Sequence, residues 1–202
     1  SVVGRRKSFS PGSTLVLPAN VVVTVATGWN HTAVVTSGGQ VFTWGRNLSG
    51  QLGLGHCNAT ETPQRVPSFV NLNTGVYSTA KVVHIACGGE HTLALTEDGE
   101  AWSWGSGIYG QLGTGVREEV SSVPLPLSSL ANIEIDGVAC GMFHTILRDA
   151  NGGVWATGQG EQGELGTGRL RSEVLPEKVK GLRSIVHVSA GYAHSAALAE
   201  GG

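Results

Sequence analysis

Residues 25–55 read "VATGWNHTAVVTSGGQVFTWGRNLSGQLGLG", and this 31-residue pattern returns twice without a gap. The second copy spans 85–115, "IACGGEHTLALTEDGEAWSWGSGIYGQLGTG", and the third spans 138–168, "VACGMFHTILRDANGGVWATGQGEQGELGTG". A partial fourth copy, "VSAGYAHSAALAEGG", occupies 188–202. All the variation in length falls in the connectors, which are residues 56–84, 116–137 and 169–187. A period of about 50 residues predicts one tandem-repeat domain over residues 1–202.

The composition of the chain narrows its class. Glycine accounts for 31 of 202 residues, about twice its average share, which favours tight turns. Charged residues make up 14% and the net charge is −2, so we expect no direct nucleic-acid binding. No apolar run reaches the roughly 18 residues of a membrane helix, so we expect no membrane association. Three cysteines without a C-x-x-C pair indicate an intracellular, reducing compartment, cytoplasmic or nuclear.

Each copy contains the pattern of a β-hairpin. A short strand follows the histidine, and in the first copy it reads TAVVT (32–36). A pair of turn residues then recurs, of the kind favoured in two-residue type I′ turns, where both central residues need positive φ. These pairs are Gly38-Gly39, Asp98-Gly99, Asn151-Gly152 and Gly201-Gly202. The next strand alternates aromatic residues, so Phe42 and Trp44, or Trp102 and Trp104, share one sheet face and can pack between layers.

Two more strands complete the unit. One precedes each histidine, as in VVVTVAT (21–27). The other lies in the connector, where Pro63, Pro124 and Pro176 suit an edge strand that need not donate every hydrogen bond. Each repeat is therefore predicted to form an antiparallel sheet of three or four strands. No helical period competes with this pattern, and sheets stacked at this period predict an all-β fold, a β-propeller.

The repeat resembles that of the regulator of chromosome condensation family. The resemblance rests on the run G-x-x-H-[ST]…[DNG]-G-x-[VA]-[FW]-x-W-G…G-Q-L-G-x-G, and with its connectors it covers nearly the whole chain. It implies a seven-bladed propeller, of which three complete repeats and part of a fourth are about half. We therefore expect either further polypeptide that completes the ring or self-association through unpaired outer blades.

The residues that suggest chemistry have structural interpretations. The frame G-x-x-x-x-G at 45–52 lacks the lysine and hydroxyl of a phosphate-binding loop, and it recurs at 105–112 and 158–165. Four repeated histidines lie too far apart for one metal ion, so we expect each to hydrogen-bond the backbone and fix a bend beside its glycine. These structural pairs are Gly28 and His31, Gly88 and His91, Gly141 and His144, and Gly191 and His194.

No catalytic arrangement stands out. Cys87 and Cys140 occupy equivalent positions that elsewhere hold Thr27 and Ala190, so we expect buried, unreactive thiols. The sequence shows no Ser-His-Asp or Cys-His-Asn combination outside the repeated histidines. We therefore expect a protein that is not an enzyme and that needs no cofactor or metal.

The informative positions are the two residues after each repeated glycine. They vary from copy to copy, fall in a loop between strands, and open on the same face of a propeller. Candidate protein-binding residues at these positions are Trp29, Asn30, Glu90, Met142, Phe143 and Tyr192. Aromatic residues and methionine are enriched at interfaces, although the rings could instead fold inward over the blades.

The leading functional hypothesis is a protein-interaction scaffold that belongs to a larger eukaryotic protein. The resemblance implies an alternative, a guanine-nucleotide exchange factor for a Ran-type small GTPase. A third class, light sensing by clustered tryptophans, depends on G-W-x-H-T on successive blades, and this sequence has it once, at 28–32.

Overall fold

Each repeat folds as an antiparallel sheet whose strands follow chain order, and the sheets stack as the blades of a partial β-propeller. The computed structural model describes residues 20–67, 69–71, 75–78, 80–117 and 120–201. No helix in this part of the chain is long and apolar enough to cross a membrane. The predicted all-β propeller fold is confirmed.

The strands divide into four blades. Blade 1 consists of β1 (Val22–Thr27), β2 (His31–Thr36), β3 (Val41–Gly45) and β4 (Thr60–Arg65). A short ribbon, β5 (Val70–Asn71) and β6 (Val76–Tyr77), leads to blade 2: β7 (Val82–Cys87), β8 (His91–Thr96), β9 (Ala101–Gly105) and β10 (Ser121–Pro126). A 3₁₀ turn, Ser128–Leu130, precedes blade 3: β11 (Ile135–Cys140), β12 (His144–Asp149), β13 (Val154–Gly158) and β14 (Glu173–Lys178). Blade 4 has β15 (Ile185–Ala190) and β16 (Ser195–Ala199).

The hairpin turns differ from the type I′ prediction. Gly39, Gly99 and Gly152 have φ of 77°, 82° and 74°, but the residue before each lacks the positive φ that a type I′ turn requires. In blade 1, Gly39 N donates to Thr36 O, and Thr36 N donates to Gln40 O. The turn is therefore a three-residue loop, a type I turn that ends in a glycine bulge. The prediction of type I′ was wrong because only one left-handed residue is needed here.

Aromatic side chains fill the space between blades 1 and 2. Trp102 and Trp104 are buried in one apolar cluster with Val35 and Val41 of blade 1. The alternation on β9 therefore directs both rings toward the preceding blade, which confirms the predicted packing between layers. Trp104 Nε1 also donates to Gln51 O at 2.9 Å, so its polar atom is paired.

Each outer strand is irregular where its proline lies. In blade 1, Gly45 pairs with Thr60 and Thr43 pairs with Gln64, so three residues of β4 oppose one residue of β3. Pro63 falls in this bulge, and the register of β10 and β14 shifts in the same way around Pro124 and Pro176. The bulge accommodates a residue that cannot donate to the ladder.

A hydrogen-bond relay joins each blade to the next. His31 Nε2 lies 2.9 Å from Thr92 Oγ1 of blade 2, and that hydroxyl donates to Gln51 O of blade 1 at 2.8 Å. The same relay returns at the next two junctions. It runs through His91, Thr145 and Gln111, and then through His144, Ser195 and Glu164. The expectation that each ring hydrogen-bonds its own bend was wrong, because Nε2 bonds to the neighbouring blade.

The relay and the burial around it determine which ring nitrogen of each histidine carries a proton and whether the ring is charged. Because the Thr92 hydroxyl donates its single proton to Gln51 O, it must accept from a protonated Nε2 of His31. Burial lowers the pKa of His31 to about 4. Burial, with the neighbouring His31 and His144 rings, lowers that of His91 to about 3. Both imidazoles are therefore neutral near pH 7.

Removing the central hydroxyl of a relay should destabilise the fold. Thr92→Val leaves His31 Nε2–H without its partner in a buried site, which costs about 1–3 kcal/mol, whereas Gln51 O keeps the hydrogen bond from Trp104 Nε1. We expect the free energy of unfolding, measured in urea, to fall by about 2 kcal/mol. The control Thr62→Val removes an exposed hydroxyl in β4 and should change it by less than about 0.5 kcal/mol. Equal effects of the two substitutions would contradict the role of the relay.

Candidate protein-interaction face

Two sets of loops share one face of the propeller, here called the upper face. The first set connects the two innermost strands of each blade, at residues 28–30, 88–90, 141–143 and 191–193. The second set leaves the third strand, at residues 46–49, 106–109 and 159–162. Within each complete blade the two loops are tied together, since Arg46 N donates to Asn30 O at 2.8 Å and its equivalents do the same.

The six predicted binding residues all belong to the first set of loops, but they differ in exposure. Trp29 and Tyr192 are 66% and 69% exposed. Asn30 is also exposed, whereas Glu90 and Phe143 are half-buried. Met142 is only 8% exposed. The two interpretations considered for these positions, outward contact and inward packing, therefore apply to different residues.

Met142 packs inward because Gly89 provides space for it. A Cβ atom built on Gly89 would lie 2.6 Å from Met142 Sδ and 2.6 Å from Met142 O. The backbone adds to this approach, since Gly89 N donates to Met142 O across the junction at 3.2 Å. Trp29 N donates to Gly88 O, and Met142 N donates to Tyr192 O, in the same manner. The first set of loops thus forms a hydrogen-bonded arc from blade 1 to blade 4.

Glu90 and Phe143 connect the two sets of loops across junctions. Ser49 Oγ donates to Glu90 Oε2 at 2.7 Å, and Arg46 Nη2 lies 4.0 Å from Glu90 Oε1. At the next junction the Tyr109 and Phe143 rings occupy the equivalent positions, with centroids 5.0 Å apart. A polar pair at one junction and an aromatic pair at the next therefore connect the loops of neighbouring blades in equivalent positions.

The loop once considered for phosphate is a rigid turn. Gly50 has a φ of 72°, and a Cβ there would lie 2.7 Å from Ser121 O in the outer strand of blade 2. Buried Gln51 accepts from Ser49 N through Oε1 at 3.0 Å. Asn47, also buried, donates to His56 O and Asn58 O. Leu52, which follows, is fully buried, so the glycines of this frame serve close packing between blades.

The second set of loops exposes apolar side chains at positions that vary from copy to copy. Leu48 is 63% exposed and Ile108, its equivalent on blade 2, is 45% exposed. The equivalent residue on blade 3 is Glu161, so the apolar character ends there. Nothing in the repeat marks these positions except their variability inside a constant frame. That variability is the signal by which they could have been found.

Two cysteine thiols lie beside the first set of loops and are unreactive in this environment. Cys87 and Cys140 contribute to a groove of about 360 Å³, bordered by Trp29 and Tyr192. Burial raises the pKa of Cys87 to about 12, and burial together with the neighbouring Cys87 raises that of Cys140 well above its ordinary value; contacts with the Thr92 and Thr145 side chains only partly oppose these shifts. Both thiols are protonated at neutral pH, whereas a nucleophilic cysteine needs its thiolate.

Comparison with known proteins agrees with this geometry. A sequence model described as "RCC1-like domain" matches residues 3–202. The ultraviolet-B receptor UVR8 of Arabidopsis thaliana is 37% identical over 180 residues, which are 88% of this chain and 39% of that protein. The human E3 ubiquitin-protein ligase HERC2 is 34% identical over 183 residues, 89% of this chain and 4% of the ligase.

A solved structure of a related protein has the same fold. Yeast RCC1 (Prp20), solved with Kap60 bound to it, is 26% identical and superimposes with a TM-score of 0.73. The match covers 92% of this chain and 43% of that one. The chain thus spans less than half the length of each of these three relatives.

Two alanine substitutions should distinguish side chains of the upper face that pack into the core from those that point to solvent, by their effect on the free energy of unfolding. Met142→Ala removes a buried side chain and should lower the free energy of unfolding by about 2 kcal/mol. Trp29→Ala removes an exposed ring and should change it by less than about 0.5 kcal/mol. Urea unfolding followed by far-ultraviolet circular dichroism measures both. A large loss for Trp29→Ala would mean that this ring belongs to the core.

Proposed function

The chain belongs to the RCC1-like domain family, and from that premise we propose that its upper face binds a protein partner and that the domain is a non-catalytic scaffold. The observation that carries the proposal is the exposure of Leu48 and Ile108 on loops that are held by hydrogen bonds to the buried side chains of Gln51 and Gln111. Exposed apolar side chains on a rigid frame lose little conformational entropy on binding, which favours association.

The composition of the surrounding surface suits a protein partner. Trp29, Phe143 and Tyr109 add aromatic surface close to these loops, and aromatic residues are enriched at interfaces. The charged residues nearby are largely paired, as Arg46 is with Glu90. The surface therefore offers apolar contact with neutralised charge, and it lacks the basic excess that a nucleic acid needs.

Two chemical observations support a role without catalysis. The Nε2 atoms of His31 and His91 donate within relays, and their basic Nδ1 atoms are buried, so these two imidazoles are not available as bases toward a substrate. The two groove thiols are protonated at neutral pH. Protonated thiols and three free cysteines also suit a cytoplasmic or nuclear location, which we propose for this protein.

Relatives indicate the kind of partner. Yeast RCC1 forms a complex with Kap60, so a protein of this family binds another protein. The HERC2 match concerns a small part of a long ligase, which suits a binding module within a larger chain. Light sensing is less well supported, since the positions equivalent to Trp29 hold Gly89, Met142 and Tyr192.

The proposal is tested by substitutions on the exposed loops. Leu48→Ala combined with Ile108→Ala should reduce capture of a partner at least tenfold while the unfolding curve stays unchanged, because both side chains are exposed. Capture is measured by quantitative cross-linking of the tagged protein in cells, with each captured protein then re-tested in purified form. Leu175→Ala, in the exposed outer strand of blade 3, is the matched control and should leave capture intact.

Two outcomes would count against scaffolding at this face. Equal capture by the wild type and the double variant would place the binding surface elsewhere. Accelerated nucleotide release from a purified Ran-type GTPase, on addition of the complete protein, would replace scaffolding with exchange activity. The exchange assay uses a fluorescent guanine nucleotide, and we expect the release rate to stay at its spontaneous value.

A further inference from the structure

The junction between blades 3 and 4 has a buried carboxylate where the earlier junctions have amides. Gln51 and Gln111 are buried and accept a backbone N–H from the residue two positions earlier. Glu164 occupies the equivalent position on blade 3, is 3% exposed, and accepts from Gln162 N through Oε2 at 2.9 Å. The local hydrogen bond is the same in all three blades, but only the third turn carries a negative charge.

This charge acts on the relay histidine of its own blade. Burial lowers the pKa of His144, while the Glu164 carboxylate raises it. His194 of blade 4 acts in both directions, since a hydrogen bond with its backbone raises the pKa of His144 and its ring lowers it. On the other side, His91 of blade 2 is the neighbouring relay histidine. Glu164 is the one anionic group among these neighbours.

The relay itself is compatible with a protonated His144. His144 Nε2 lies 2.9 Å from Ser195 Oγ, and that hydroxyl donates to Glu164 O at 2.7 Å. Protonation occurs at Nδ1, so Nε2–H remains a donor and the hydrogen bond across the junction is kept. The new positive charge is then balanced by the carboxylate of Glu164, the residue whose backbone O accepts the hydrogen bond from Ser195.

The first two junctions cannot take up a proton in this way. The Nδ1 atoms of His31 and His91 are buried and have no hydrogen-bond partner. The turns beside them carry neutral Gln51 and Gln111, so a buried imidazolium would be uncompensated. Such a charge is costly, and these relays release their histidines only when the blades separate.

We propose that Glu164 makes the junction between blades 3 and 4 the first of the three described junctions to bind a proton. His144 accepts a proton there as the pH falls, with Glu164 as its counter-ion and the bond to Ser195 intact. The other two junctions stay neutral until acid opens them. Among the described junctions, acid therefore protonates this one first, in the loop region around blade 4.

The test is a pair of reciprocal substitutions read by NMR. Histidine is labelled with ¹³C at Cε1 in the complete protein, and the ring signals are followed from pH 8 to pH 4. In the wild type we expect His144 to titrate at a higher pH than His31 and His91. Glu164→Gln should shift the His144 titration to lower pH, and Gln111→Glu should shift that of His91 to higher pH.

Stability supplies a second readout. Lowering the pH from 7 to 5 should destabilise both proteins, because burial holds the pKa of His144 below its ordinary value in the folded state. The loss should be larger for Glu164→Gln, because Glu164 raises the pKa of His144 in the wild type. Both substitutions exchange residues that the fold already holds at equivalent positions, so folding is expected. If Gln111→Glu nonetheless fails to fold, the His144 titration in Glu164→Gln is sufficient to test the proposal. An unchanged His144 titration in Glu164→Gln would overturn the proposal, as would a His144 that titrates with His31 and His91.

Discussion

The structure depends on a hydrogen-bond relay that makes one blade incomplete without the next. The histidine of each blade reaches a hydroxyl on the following blade, and that hydroxyl returns to a carbonyl of the first. The repeated glycine allows this approach. A Cβ atom on Gly28 would lie 2.3 Å from His31 Cε1 and 2.4 Å from Gly88 O of blade 2. The glycine, the histidine and the hydroxyl are thus parts of one contact between blades.

This contact explains how a variable surface rests on a constant frame. The relay and the buried turn residues hold the upper loops at fixed positions, so the residues between them can change without loss of the fold. Glu90 with Ser49 and Phe143 with Tyr109 are two chemically different solutions at equivalent positions. Recognition can therefore be encoded in the loops while stability is encoded beneath them, as is usual for binding sites on rigid scaffolds.

The sequence predicted the blades well because their signals are periodic. Alternating aromatics on β9, prolines in the outer strands and a histidine at one offset all have local physical causes, and the strands appear where these patterns lie. The hydrogen bonds between blades could not be predicted from the sequence in the same way. The partner of His31 is 61 residues away, and no local pattern tells a ring that bonds its own bend from one that bonds a neighbour. The same limit applies to Met142, whose inward packing depends on Gly89 of another blade, and to Leu48, whose exposure no pattern shows.

Amide hydrogen exchange tests most directly whether the relay holds neighbouring blades together. Thr145→Val removes the relay between blades 2 and 3 and leaves the relay between blades 1 and 2 in place. The amide of Gly89 bonds across the altered junction to Met142 O, and the amide of Trp29 bonds across the intact junction to Gly88 O. We predict that protection of the Gly89 amide falls at least tenfold relative to that of the Trp29 amide. Unchanged protection of Gly89, or an equal loss at both amides, would contradict the account.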